Sequence, residues 1–193
     1  MSKAGNDDTF VFGVSGHRDL VPADVPALRK QVGDIFRRSI AEHPGASFEL
    51  LTPLAEGADR IAAHEALLLG IKLVVPMPMA QAEYERDFES ENSLIEFRQL
   101  LDAADAKFEL SDAASPETAK GRPQKYASVG EFIAQKSDLL IFLWDGKENQ
   151  KVGGTAWVRS RRAYWCQLAK ESGSGRDLAT IHVPTRRIAA LAG

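Results

Sequence analysis

At 193 residues the chain suits one well-buried domain and is short for two. With 44% hydrophobic and 26% charged residues it has the balance of an ordinary globular protein, and a formal net charge of −3 excludes any general attraction to nucleic acid or to an anionic membrane. The single cysteine, Cys166, excludes an internal disulfide, and no apolar run reaches the ~18 residues of a membrane span.

The opening residues Met1-Ser2-Lys3-Ala4-Gly5-Asn6-Asp7-Asp8 are acidic and lack an apolar core, unlike a secretory signal, so a reducing cytoplasm is the expected compartment. Residues 9–14 are rich in β-formers and run into a glycine turn, which predicts the first strand. From 22 to about 42, Val25, Leu28, Val32, Ile35, Phe36 and Ile40 recur at helical spacing, and Pro44-Gly45 stops the helix. A second strand is expected at 48–52, closed by Pro53. A helix follows over 59–69, with Gly70 as its stop.

Residues 71–75 predict a third strand, followed by Pro76-Met77-Pro78 and helical segments at 80–88 and 90–103. A weak fourth strand is expected at 107–110. The polar stretch 111–124, with Pro116, Gly121 and Pro123, reads as a mobile loop before a helix over 125–136. In 138–144 the run Leu139-Leu140-Ile141-Phe142-Leu143 is apolar at every position, the pattern of a strand buried on both faces of a parallel sheet. A long helix from Gly153-Gly154-Thr155 to about Glu171 and a strand at 179–183 complete the alternation. The fold class this predicts is α/β: a Rossmann-like, doubly wound, mainly parallel sheet of about six strands with helices on both faces. Residues 1–193 read as one Rossmann-like domain, with 1–8 and 185–193 as flexible tails.

Three glycine turns stand where a strand gives way to a helix, at the sheet edge where ligands bind. In Ser15-Gly16-His17-Arg18, glycine allows close backbone approach, serine offers a hydroxyl and Arg18 a two-pronged bond to phosphate; a plain turn with a solvated arginine is the alternative. The segment departs from the G-x-G-x-x-G dinucleotide pattern, and His17 replaces the last glycine of a G-x-S-x-G nucleophile elbow. In Glu56-Gly57-Ala58-Asp59, Asp59 either caps the helix or holds ribose hydroxyls. Asp145-Gly146 and Gly153-Gly154-Thr155 end the apolar strand. The latter is the best phosphate candidate, with bare amides and a hydroxyl at a positive helix end. Pro76-Met77-Pro78 and Tyr84 form either an apolar slot for a base or part of the core.

Other residues give weaker signals. Arg159, Arg161 and Arg162 make a local basic cluster, more in keeping with a solvated face or an interface than with a DNA groove. Trp157, Tyr164 and Trp165 fit either a homodimer face or core packing. His17, His43, His64 and His182 are scattered without metal-ligand spacing, so neither a metal nor a cofactor is expected, and Cys166 has no activating base.

Together, Gly13-Val14-Ser15-Gly16-His17-Arg18, Leu54-Ala55-Glu56-Gly57-Ala58-Asp59-Arg60-Ile61-Ala62-Ala63-His64 and Ser137-Asp138-Leu139-Leu140-Ile141 with Gly153-Gly154-Thr155-Ala156 resemble the SLOG superfamily. That group holds the DNA-processing protein A (Smf) proteins, the "lonely guy" nucleotide hydrolases and nucleotide-sensing domains of bacterial defence systems. The second stretch is similar to the G-L-A-x-G-x-D-x-x-A-H motif of the DNA-processing proteins, with Pro53 in place of its first glycine. The resemblance implies a Rossmann-like sheet binding nucleotides or nucleotide-derived signals, with Ser15, Gly16, His17, Arg18, Gly57, Asp59, Gly153, Gly154 and Thr155 touching the ligand. The hydrolases carry P-G-G-x-G-T-x-x-E; aligning Gly154-Thr155 with its G-T puts Val158 at the glutamate. A binding or sensing module without catalysis is therefore the leading expectation. A phosphoribohydrolase using Glu56, Asp59 or Asp145 is the alternative, and a single-stranded DNA binder a third, with nucleic acid the less expected partner.

Overall fold

The computed structural model describes residues 9–88, 90–110, 121–148, 151–173 and 177–188. Six parallel strands, β1 (Thr9–Gly16), β2 (Ser47–Leu51), β3 (Lys72–Met77), β4 (Ala106–Glu109), β5 (Leu139–Trp144) and β6 (Ala179–Pro184), form one sheet in the order β4-β3-β2-β1-β5-β6. The chain winds outward from β1 to β4, then returns to the other side of β1 and continues outward to β6. The reversal leaves a switch point between β1 and β5, which pair in register with Ser15 opposite Phe142 and Gly16 opposite Leu143.

Alternation along the strands divides the core in two. Phe12, Val14, Leu139, Ile141 and Leu143 point to the face covered by α1 (Val25–Glu42), α2 (Ala58–Leu68) and α4 (Glu91–Asp102). Leu140 and Phe142 point to the other face, under α5 (Arg122–Lys136) and α6 (Thr155–Glu171). β5 is buried at all six positions, as its unbroken apolar run predicts. The short α3 (Gln81–Tyr84) runs into a 3₁₀ turn over Glu85–Asp87 between β3 and α4.

Two aspartates fasten the starts of strands. Asp138, just before β5, accepts the Val11 amide at 2.8 Å and returns its own amide to the Val11 carbonyl. Asp105, just before β4, does the same with Leu73. Each aspartate thus extends the ladder by one residue before the start of its strand.

The arginine cluster of α6 is not a shared basic face. Arg162 is 1% exposed and donates to the carbonyls of Ala134, Ser137, Asp138 and Ala179 at 2.7–2.9 Å, tying α6 to the end of α5 and to the bottoms of β5 and β6. Arg161 pairs with Glu131, and Arg159 with Glu148. Trp157 and Trp165 pack against the second core cluster, leaving Tyr164 exposed. Residues 185–188, placed in a tail by the sequence, hold Thr185 buried; its amide bonds to the Trp144 carbonyl, and Ile188 bonds to Asp19. The tail at 1–8, residues 189–193 and most of the loop expected at 111–124 lie outside the described residues. At the end of that loop α5 already begins, at Arg122 with Pro123 in its first turn.

Candidate functional site

The carboxyl end of β1, with the segments that follow β2 and β5, opens into a cleft of about 910 Å³ beside the switch point. Ser15, Gly16, His17, Arg18, Asp59, Gly153, Gly154 and Thr155 all line it, so residues from three separate turns converge. Close packing brings them together. A Cβ on Gly57, whose φ is +75°, would lie 2.5 Å from the Arg18 carbonyl oxygen, so only glycine lets the second turn press on the first. Gly153, also at φ +75°, would put a Cβ 2.9 Å from the Ala127 nitrogen of α5.

Three helices point their N-termini at this region, and each has a glycine N-cap with no side-chain hydrogen bond: Gly57 for α2, Gly121 for α5 and Gly154 for α6. By contrast α4, away from the cleft, is capped by the Ser90 hydroxyl on the Ser93 amide at 3.1 Å. At the start of α6 the amides of Thr155, Ala156 and Trp157 have no acceptor among the described residues. Bare amides at a positive helix end favour an anion.

Side chains reinforce that polarity. Arg18, Arg86, Arg122, Lys151 and Arg187 line the cleft against Asp19, Asp59 and Asp87, so a chain of net negative charge has a locally cationic pocket. Arg122 is engaged by Asp87 at 2.5 Å, and Arg187 by Asp19 at 2.9 Å. Arg18 is exposed, its guanidinium 5.2 Å from the centre of the Tyr126 ring. The Tyr126 hydroxyl donates to Asp87.

Asp59 is 6% exposed. It sits inside the first turn of α2, not at the cap, and turns back to accept the Ala55 amide at 3.1 Å. Burial pushes its carboxyl up to about 7, against the opposing pull of the Ala55 amide, Arg18, the Thr52 hydroxyl and Arg60. His17 lines the cleft but engages Asp145: its Nε2 lies 3.0 Å from Oδ1 and 3.2 Å from the backbone nitrogen. One ring nitrogen serves these one at a time, donating to the carboxylate as N–H or accepting from the amide through its lone pair. Burial raises the Asp145 carboxyl, but the Lys147 amide and His17 outweigh it and hold the group below its ordinary value.

Several expected residues stand apart. Glu56 and Gly57 line an adjoining groove of about 660 Å³ beside α4, which shares Arg18 and Asp19 with the cleft and in which the Ser93 hydroxyl donates to Glu56. Asp145 and Gly146 line neither depression. Pro76, Met77, Pro78 and Tyr84 are buried in the core, with Tyr84 packed on Phe88 and Phe97 at ring distances of 5.2 and 5.5 Å, so they form no slot for a base. Tyr126 is the aromatic ring that does line the cleft. Val158 also lines it, wedged where a Cβ on Gly130 would stand 2.7 Å from its Cγ2. His64 pairs with Glu96 on the surface, and the Cys166 thiol meets the Leu178 carbonyl.

The sequence reasoning missed Arg86, Arg122, Tyr126, Lys151 and Arg187. For Arg122 and Tyr126 a signal was present, since Gly-Arg-Pro at 121–123 is a helix start with proline in the first turn.

No protein-family model matches the chain, and no curated protein matches it. Among solved structures it is similar to DNA processing protein A from Streptococcus pneumoniae, with a TM-score of 0.54 at 15% identity over 95% of this chain. It is similar as well to DNA processing protein A from Helicobacter pylori, studied for its single-stranded DNA binding mode, with a TM-score of 0.52 at 16% identity over 93% of this chain. The chain spans 53% of the first structure and 67% of the second. The likeness is one of fold: the Rossmann-like architecture implied by the motifs is shared with these proteins.

Proposed function

We propose that the chain binds a nucleotide or nucleotide-derived ligand in the switch-point cleft, its phosphate on the α6 amides and its charge met by Arg18. The observation that carries this reading is the meeting of the first turns of α2, α5 and α6, through Asp59, Arg122 and Thr155, at one cationic cleft on the ligand-binding edge of a parallel sheet. Binding without turnover is favoured by the residues themselves. Val158 stands where the hydrolase motif has its glutamate, Glu56 lies in the adjoining groove and Asp145 outside both, and among the described residues the other carboxylates of the lining, Asp19 and Asp87, are ion-paired with Arg187 and Arg122.

Calorimetry against AMP, ADP, cyclic nucleotides and nicotinamide-derived nucleotides tests the proposal. Saturable binding that disappears in Gly153→Val supports it, and silence across the panel overturns it.

The second reading is a single DNA strand laid across the cleft. The five cationic side chains in the lining favour it, as does the fold shared with a protein studied for single-stranded DNA binding. Titration with oligo-dT at several salt concentrations separates the two. A strand contacting several phosphates loses affinity steeply with salt, whereas a mononucleotide site does so weakly.

A further inference from the structure

We infer that an anionic ligand entering the cleft is accompanied by one proton, taken up by the buried Asp59 carboxyl. This rests on the reading of the cleft as an anion site.

Asp59 and Arg18 line the same cleft, so a ligand that meets one alters the surroundings of the other. Water scarcely reaches Asp59. The Ala55 amide donates to it at 3.1 Å. The Tyr84 hydroxyl, the other ionisable group packed near it, is fully buried without a hydrogen-bond partner, and the negative charge of Asp59 helps to hold it un-ionised. Two cations face the carboxylate. Arg60 is committed to the Leu54 carbonyl, Ser93 and Glu96. Arg18 is exposed on the cleft wall over Tyr126. Of the remaining charged groups in the lining, His17 is turned to Asp145, Arg122 to Asp87 and Arg187 to Asp19; Arg86 and Lys151 complete the set.

A phosphate that engages Arg18 withdraws that guanidinium from Asp59 and brings further negative charge into a space of low dielectric. Both effects drive a proton from solvent onto the carboxyl. The neutral acid keeps a carbonyl oxygen for the Ala55 amide, so the turn is preserved as the charge disappears. Burial already pushes the Asp59 carboxyl up to about 7, and the added negative charge of a ligand pushes it in the same direction.

The test is titration of the native chain with AMP at pH 8, where the phosphate is already dianionic, in two buffers of very different ionisation enthalpy. The expected result is uptake of about 0.5–1 proton per AMP and a Kd that rises several-fold from pH 7.5 to 8.5. In Asp59→Asn the uptake vanishes and the Kd becomes flat over that range. Should that variant fail to fold, the Asp59 carboxyl ¹³C shift in the native chain serves instead, its midpoint rising by about one pH unit or more when AMP saturates the site. AMP binding without proton uptake, an unmoved midpoint, or uptake persisting in Asp59→Asn overturns the inference alone. No AMP binding by the native chain overturns the cleft reading and the inference with it.

Discussion

Gly16 and Ala58 approach so closely that a methyl group on Gly16 would lie 2.5 Å from the Ala58 Cβ and would also strike the Leu143 carbonyl. The end of β1, the start of α2 and the end of β5 therefore meet at one residue without a side chain, and that junction forms the floor of the cleft. Gly16→Ala must push strand and helix apart, with a cost of about 1–3 kcal/mol for overpacking. Urea denaturation should show a lower midpoint with an unchanged slope.

Arg162 supports the opposite end of the sheet. Its guanidinium satisfies four carbonyls from α5, β6 and the residues before β5, with the bonds to Ala134 and Ser137 fully buried. Arg162→Met keeps the bulk of the stem but strands those acceptors, and a single buried unsatisfied group costs ~1–3 kcal/mol. A loss of about 3 kcal/mol or more is expected in denaturant unfolding. Arg159→Met, on an exposed ion pair, should cost well under 1 kcal/mol.

Asp59 makes stability depend on pH in an unusual direction. Its folded carboxyl is pushed up to about 7, from an ordinary value of 3.8. Between those values the folded state binds the proton that the unfolded chain has released. Stability contributed by this group is therefore full below about pH 4 and is lost as pH rises towards 7. Asp59→Asn removes the penalty. Comparing its unfolding free energy with that of the native chain should show a gap shifting in favour of the variant by a few kcal/mol from pH 4 to pH 8. A gap that does not change with pH would contradict the burial argument.

What the sequence revealed follows from locality. Strand ends and glycine turns are written within a few neighbouring residues, so β1, β5 and the three converging turns were legible. Residue direction was less so. Glu56 and Asp59 sit three positions apart at one helix start, yet Ser93 on α4 draws Glu56 into the neighbouring groove while Asp59 turns back to Ala55. Only the packing of α4 decides this, and it lies more than thirty residues away in the chain. Arg86 reaches the cleft from a 3₁₀ turn whose sequence carries no ligand-binding signature. Arg162 read as surface because its neighbours Arg159 and Arg161 are charged; its four acceptors come from segments separated in the chain.

The roles proposed for α6 and Arg18 in ligand contact can be separated by substitution. Thr155 is a buried side chain in the lining with its amide unpaired among the described residues, so Thr155→Val keeps shape and loses the hydroxyl. One hydrogen bond to a charged phosphate is worth about 1.5–3 kcal/mol, so AMP affinity should fall by roughly tenfold or more. Arg18→Gln removes the cation on the cleft wall and should weaken AMP by a similar factor. Gly153→Ala acts through the backbone, since φ +75° disfavours alanine and the new methyl would press on the Ala127 amide and the Pro123 carbonyl. It should reduce both stability and affinity, as the turn and the start of α5 move together. Equal AMP affinity in all three variants and the native chain would remove the α6 amides and Arg18 from the binding site.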